Sequence, residues 1–192
     1  MERCVAIPTG NCETQWIERC RSGDREAFRL LYEAHKDRVY SFALYTLNGD
    51  GATAEDVTQE VFVRVFQRIG GFRQEAEFST WLYRIAANAC ADELRRRKRS
   101  AQWEDFELSA STCADLENAE LSAAVREALR TLPAEQRAAV LLKYFEERSY
   151  EEMAAILECS KGTIASRLNR GLRALAGKLA FLKEDGPERR TQ

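Results

Sequence analysis

From Ser160 to Lys183 the chain holds six lysines or arginines and no aspartate or glutamate. Wound as a helix, KGTIASRLNRGLRALAGKLAFL puts Gly162, Thr163, Ser166, Asn169, Arg170 and Arg173 on one side, with Arg167 on the flank. Ile164, Leu168, Leu172 and Leu175 form a narrow apolar stripe behind them. Arginine can bond guanine with two N–H groups and asparagine can do the same with adenine, each worth about 1–3 kcal/mol of base discrimination when well placed. Lys161 and Thr163 stand at the helix N-terminus, where the helix dipole and the free N–H groups favour a phosphate. These residue types in this order point to a helix that reads duplex DNA in the major groove.

A second constellation lies earlier. In STWLYRIAANACADELRRRKR, a rotation of about 100° per residue lines up Trp81, Arg84, Asn88 and Arg95. Arg95–Arg99 is an unbroken basic run that extends the stripe. A ring for stacking, an amide for base edges and guanidinium groups for phosphates are what a separated DNA strand needs. The bland alternative is a solvated polar face with a half-buried tryptophan, and it leaves the adjoining basic run unexplained.

The elements that must position these residues are helical. Apolar residues recur at helical spacing through most of the chain, strand-like alternation is almost absent, and three prolines leave long helices unbroken. An all-α protein is expected, built of two small helical domains joined by an acidic flexible linker. Residues 1–15 read as a tail. The first domain, 16–99, opens with Trp16–Arg21, turns at Gly23-Asp24 with Asp24 as N-cap, and continues in EAFRLLYEAHKDRVYSFALYTL. Thr53 is expected to start AEDVTQEVFVRVFQRI, with Asp56 as a capping-box-like acid and Gly70-Gly71 as the stop. Val57, Val61, Phe62, Val65, Phe66 and Ile69 make its apolar arc, which leaves Asp56, Glu60, Arg64 and Gln67 for water or a partner. Ser79 is the expected cap of the helix that carries the tryptophan stripe, and Leu82, Ile85, Ala86 and Ala89 are its core side.

Residues 100–119 read as the linker: Ala101–Glu120 holds six acidic residues and no basic one, with Trp103 and Phe106 as candidate anchors within it. The second domain, 120–183, begins with AELSAAVREALRTL, and Pro133 suits the first position of the next helix. Ser149-Tyr150-Glu151-Glu152 has the capping-box form and opens a short helix with Met153, Ala154, Ile156 and Leu157 inward. Glu158-Cys159-Ser160 makes the turn, with Ser160 as the next cap. Two helices joined by about three residues, the second basic in front and apolar behind, have the geometry of a helix-turn-helix. A short capped partner is what a merely amphipathic basic helix would lack. Residues 184–192 read as a second tail.

The net charge of -2 conceals this segregation of charge. No run approaches the roughly 18 apolar residues of a membrane span, and MERCVAIPTGNC is too short an apolar start for a secretory signal, so a cytoplasmic protein is expected, with no membrane insertion. Six cysteines without a CxxC pair or histidine cluster do not make a disulfide scaffold. Cys90 and Cys159 read as small core residues, and Cys4, Cys12 and Cys20 have no assigned role. No metal-ligand cluster, phosphate-binding glycine loop or nucleophile–base motif is present, and the single histidine, His35, reads as structural, so neither catalysis nor a cofactor is expected.

Taken in order, the motifs resemble those of bacterial alternative sigma factors, the extracytoplasmic-function group of the sigma-70 family, over about residues 16–180. GDREAFRLLY, AEDVTQEVFVRVF and FSTWLYRIAANACADELRRRKR look like the family's second conserved region, which binds the polymerase clamp and opens the minus-10 element. LRTLPAEQRAAVLLKYFEERSYEEMAAIL and GTIASRLNRGLRAL look like its fourth region, which reads the minus-35 element. The resemblance implies that Asp56, Gln59, Glu60 and Arg64 meet the beta-prime clamp helices of core RNA polymerase and that the beta flap is a further contact. It implies that the loop from Arg73 to Phe78 receives a flipped base, and that Trp81, Tyr83, Arg84 and Asn88, with Arg95 and Arg96, hold the melted strand. It makes Ser166, Arg167, Asn169 and Arg170 the base readers beside Lys161, Thr163 and Arg173, threads the linker through the polymerase near the RNA exit, and implies an anti-sigma partner. Two departures stand out: Ala165 occupies a position where the family often has arginine or lysine, and the segment before Trp16 has no counterpart. The rival readings are a dimeric helix-turn-helix regulator, which leaves the Trp81–Arg99 stripe and the polar face near Glu60 unexplained, and a nucleic-acid enzyme, which lacks any catalytic motif.

Overall fold

A computed structural model describes residues 11–73, 76–100 and 119–180. Cys4, Cys113, Trp103, Phe106, residues 101–118 of the expected linker and the tail from 184 to 192 lie outside the described residues. Two compact units divide near residue 108, and each is described by itself.

In the first unit, α1 (Asn11–Arg21), α2 (Arg25–Thr46), α3 (Gly51–Arg68) and α4 (Phe78–Ser100) pack around Leu31, Val39, Phe42, Leu47, Val57, Val61, Val65, Leu82, Ile85, Ala86 and Cys90. α1 begins five residues before Trp16 and buries Ile17 and Cys20. Asp24 caps α2 as expected, accepting from the N–H groups of Glu26 and Ala27 at 2.9 and 3.2 Å. Gly23 sits at φ 89°, a conformation that costs glycine no Cβ clash.

The caps of α3 and α4 also differ from the sequence-based expectation. α3 is capped by Asp50, not Thr53: the Asp50 carboxylate accepts from the Thr53 N–H at 3.0 Å and from its hydroxyl at 2.9 Å. Aspartate is a stronger cap than threonine because it brings a negative charge to the positive end of the dipole. α4 starts at Phe78, and the Ser79 hydroxyl turns to the Glu77 carboxylate at 3.4 Å instead of capping. Between α3 and α4, Ile69–Gly71 tightens into a single 3-10 turn.

The second unit contains α5 (Ala119–Arg130), α6 (Ala134–Tyr144), α7 (Tyr150–Ile156) and α8 (Lys161–Lys178). Pro133 stands just ahead of α6 as its N-cap, one position earlier than expected, and its carbonyl accepts from Gln136 and Arg137. Leu129, Leu132, Ala139, Leu141, Leu142, Met153, Ile156, Ile164 and Leu168 form the core. The full capping box at α7 is present: Ser149 Oγ accepts from Glu152 N–H at 3.2 Å and the Glu152 carboxylate accepts from Ser149 N–H at 2.9 Å. A seven-residue helix cannot hold itself in water, so its ends and its packing carry it. Ser160 then caps α8 through Thr163 N–H at 3.1 Å. At Gly171 α8 passes close to α6: a Cβ there would meet Val140 Cγ2 at 3.1 Å and Gln136 Cβ at 3.5 Å. Among the described residues there is no strand, and no helix is long and apolar enough to cross a membrane.

Candidate nucleic-acid interface

α8 buries Ile164 and Leu168 fully behind its front face, whereas Leu172 is 37% exposed, so the far end of the expected apolar stripe is only partly covered. Lys161, Asn169, Arg170 and Arg173 are exposed, and Thr163, Ser166 and Arg167 are half-buried. The Arg170 guanidinium donates to Ser166 Oγ at 2.6 Å, which aims both groups at the same patch one helical turn apart. Lys161 is ion-paired with Glu151 of α7, and this bond holds the Glu151 carboxyl below its ordinary range. A groove of about 260 Å³ runs between α6 and α8, lined by Pro133, Glu135, Gln136, Thr163, Ser166, Arg167 and Arg170. Glu135 and Gln136 were not legible as members of this surface, since they belong to a different helix that meets α8 only in the folded unit.

On α4 the inward side is as expected, with Leu82, Ile85, Ala86 and Ala89 buried. Arg84, Asn88, Arg95 and Arg96 are exposed on the other side, and Arg73 is exposed on the loop. Trp81 is half-buried; its ring stacks at a tilt on Phe72 (5.1 Å between centroids) and lies 5.8 Å from Phe78. Two residues expected on this surface are not there. Tyr83 is 2% exposed with its ring edge-on to Phe42, and Phe78 is 3% exposed, packed against Phe72, Trp81 and His35. Burying an aromatic ring outweighs its availability for stacking, and both sit at positions where the helix turns toward the core. They support the surface from beneath. His35 Nε2 in turn lies 2.7 Å from Glu13 Oε1, which ties α1 to α2 below the same cluster.

The basic run is also divided. Arg97 turns inward to Asp50 Oδ2 (2.6 Å), Glu93 Oε1 (2.9 Å) and the Thr53 hydroxyl. It therefore joins the end of α4 to the cap of α3 and drops out of the expected phosphate ramp. Burial by itself raises the Asp50 carboxyl, but the Thr53 N–H and Arg97 outweigh it and leave the group below its ordinary range. Arg95 and Arg96 remain at the surface, paired with Asp92 (2.7 Å) and Glu93 (2.6 Å) one turn earlier. The i to i+3 spacing of these pairs was readable in the sequence; the inward course of Arg97 was not, because Asp50 is remote along the chain.

On α3, Asp56, Gln59 and Glu60 are exposed as expected, and two apolar residues share that exposure: Val63 at 55% and Phe66 at 51%. Phe66, expected in the core, lies at its edge against Phe28 with centroids 5.0 Å apart. Arg64 is bonded to Glu60 at 2.6 Å and reaches Asp92 of α4 at 3.8 Å. Among the described residues no group of three or more His, Cys, Asp or Glu could hold a metal ion. Burial pushes the Cys20 thiol up to about 11 and the Cys90 thiol up to about 12, so neither is a thiolate nucleophile at neutral pH.

A short capped helix followed by a longer cationic one is a helix-turn-helix unit, and another helical unit carries a separate cationic face beside a half-buried tryptophan. Residues 31–100 match the family model of Sigma-70 region 2, and residues 122–175 match that of Sigma-70, region 4. The ECF RNA polymerase sigma factor SigW of Bacillus subtilis is 33% identical over 180 residues, spanning 86% of this chain and 96% of SigW. The ECF RNA polymerase sigma-E factor of Escherichia coli K12 is 33% identical over 178 residues, 85% of this chain and 92% of that protein. The sigma factor RpoE from Bartonella quintana, solved with the anti-sigma factor NepR, superposes with a TM-score of 0.65 at 26% identity, over 80% of this chain and 96% of that one. The chain belongs to the sigma-70 family, in its extracytoplasmic-function group. It is an alternative sigma factor that directs transcription initiation.

Proposed function

We propose that the chain binds core RNA polymerase through the exposed side of α3, with Asp56, Gln59, Glu60 and Arg64 on the beta-prime clamp helices. Val63 adds an apolar centre to that contact. On the promoter, Trp81, Arg84 and Asn88 hold the melted minus-10 strand, Arg95 and Arg96 neutralise its phosphates, and Arg73 borders the loop that takes a flipped base. Phe78 and Tyr83 act from below by keeping that loop and α4 in place. Unstacking a base costs a few kcal/mol, and a surface that binds only the single strand shifts the equilibrium toward open DNA without ATP. In the second unit Ser166, Asn169, Arg170 and Arg173 read the minus-35 duplex, with Lys161 and Thr163 at the phosphates and Arg167 beside them. The expected domains 16–99 and 120–183 extend to the helix ends at Asn11, Ser100 and Ala119, and the segment between Ser100 and Ala119 connects them through the polymerase. The chain works in the cytoplasm and carries no catalytic step of its own.

The observation that carries this reading over that of an ordinary duplex-binding regulator is α4. Arg84, Asn88, Arg95 and Arg96 stand exposed on one side of a helix whose other side is buried, next to a half-buried Trp81. A regulator that binds only duplex operators has no use for such a face. RpoE of Bartonella quintana is held by an anti-sigma factor, and by that likeness an anti-sigma protein is the expected regulator here. The test is reconstitution: the purified chain is added to bacterial core polymerase with a genomic promoter library. Transcripts starting at a common promoter sequence are expected. Absence of specific starts, together with protection of a palindromic site by the chain alone, would overturn the assignment.

A further inference from the structure

Two cations of α8 pair with a carboxylate of another helix: Lys161 does so with Glu151 while exposed, and Arg167 does so while half-buried. Its side chain is 21% exposed; one guanidinium nitrogen lies 2.5 Å from the Glu135 carboxylate in the first turn of α6. Another lies 3.4 Å from the Cys159 sulfur in the turn before α8. Arg170, one turn on, is exposed and leans only on Ser166 of its own helix. Glu135 itself is 71% exposed, on the wall of the groove it shares with Thr163, Ser166 and Arg170. A carboxylate on a surface that faces DNA repels phosphates unless a cation cancels it. The cation that cancels it is Arg167, and the pair is neutral as a unit.

We propose that Glu135 and Arg167 form a neutral positioning pair within the DNA-reading surface: Glu135 withholds Arg167 from phosphates and base edges, and the pair sets α6 and the inter-helix turn against α8. Sequence is then read by Arg170 with Ser166 and Asn169, not by Arg167. This rests on the minus-35 role proposed above for α8. Three consequences separate it from direct reading. Removing Glu135 alone frees a guanidinium that any phosphate can recruit. Removing Arg167 alone leaves a bare carboxylate facing the DNA. Removing both leaves no net change in charge, so most of the loss is undone.

The experiment uses the full chain assembled with core polymerase, on a promoter pool randomised over the minus-35 element. The variants are Glu135→Gln, Arg167→Gln, the double variant, Arg167→Lys and Arg170→Ala. Glu135→Gln is expected to raise binding to the whole pool about 3- to 10-fold, steepen the salt dependence by about one released ion, and blur the selected sequence. Arg167→Gln is expected to weaken binding about 10-fold on every sequence with the selected bases unchanged, and the double variant to return to within about 3-fold of the parent. Arg167→Lys keeps the charge balance and is expected to bind like the parent, which a two-pronged guanine contact would not allow. The pair is overturned if the double variant stays as weak as Arg167→Gln, if Arg167→Gln or Arg167→Lys changes the selected base at one position, or if Glu135→Gln leaves the salt dependence unmoved. A merely structural contact would lower the melting temperature of all these variants and leave the salt dependence alone. Arg170→Ala reports separately: an unchanged selected sequence there sinks the minus-35 reading itself.

Discussion

Arg96 and Arg97 are neighbours in one basic run, yet only one of them is available to a polyanion. Arg97 is engaged by Asp50 and by Glu93, a residue only 8% exposed, so its loss breaks the link from α4 to the cap of α3 and leaves Glu93 with Arg96 alone of its two arginines. Arg97→Ala is therefore expected to destabilise the first unit by about 1–3 kcal/mol, read as a lower melting temperature by circular dichroism. Arg96→Ala should leave that temperature nearly unchanged, because its side chain is largely exposed, and should instead lower the salt slope of DNA binding by about one ion. If the two variants swap behaviours, the inward assignment of Arg97 is wrong. Residue type marked both as phosphate contacts. What type alone could not convey was that Asp50, far back in the chain, caps α3 at a point where α4 brings Arg97 beside it.

At the scale of elements, α7 is the most sequence-legible piece of the site. Its capping box was readable from Ser149 and Glu152, and both reciprocal bonds are present. Ser149→Ala removes one side of the box and is expected to cost about 1 kcal/mol, or about 4–8 °C in the melting of a unit this small. Acid should act on the same point. Burial raises the Glu152 carboxyl, but bonds from Ser149 and Arg148 outweigh it and bring the group down to about 2 from an ordinary 4.5. A folded-state value below the unfolded one means this stability is present above pH 4.5 and is lost as pH falls toward 2. Glu152→Gln should flatten that acid-side loss while lowering stability at neutral pH, measured as melting temperature against pH. Elsewhere the elements were legible in kind and less so in boundary. The period of α3 and α4 was plain, but both starts shifted: Asp50 and Thr53 could both cap α3, and the Ser79 hydroxyl turned to Glu77 instead of capping α4. The apolar period also could not tell a core aromatic from an edge one, which is why Phe66 emerged at the surface while Tyr83 went inside. Gly171 was missed for a related reason: a helical glycine signals close approach only once α6 is known to lie across it.

At the scale of the whole molecule, charge segregation was the most informative sequence signal, and it predicts how function divides between the units. If α8 grips duplex and α4 grips a separated strand, each can be injured without the other, because Arg170 and Asn88 belong to different units and share no partner. Arg170→Ala is expected to cost about 1–3 kcal/mol on a minus-35 duplex bound by the polymerase complex and nothing on a single-stranded minus-10 oligonucleotide. Asn88→Ala should do the reverse, at about 1 kcal/mol on the single strand, since one exposed amide contributes one or two hydrogen bonds. On a complete promoter the two losses should add as free energies, to within about 0.5 kcal/mol, as distant independent sites do. Equal injury of both fragments by either variant would mean that the two surfaces act as one. A double variant far weaker than the sum would mean instead that duplex capture and strand holding are coupled through the polymerase that carries them both.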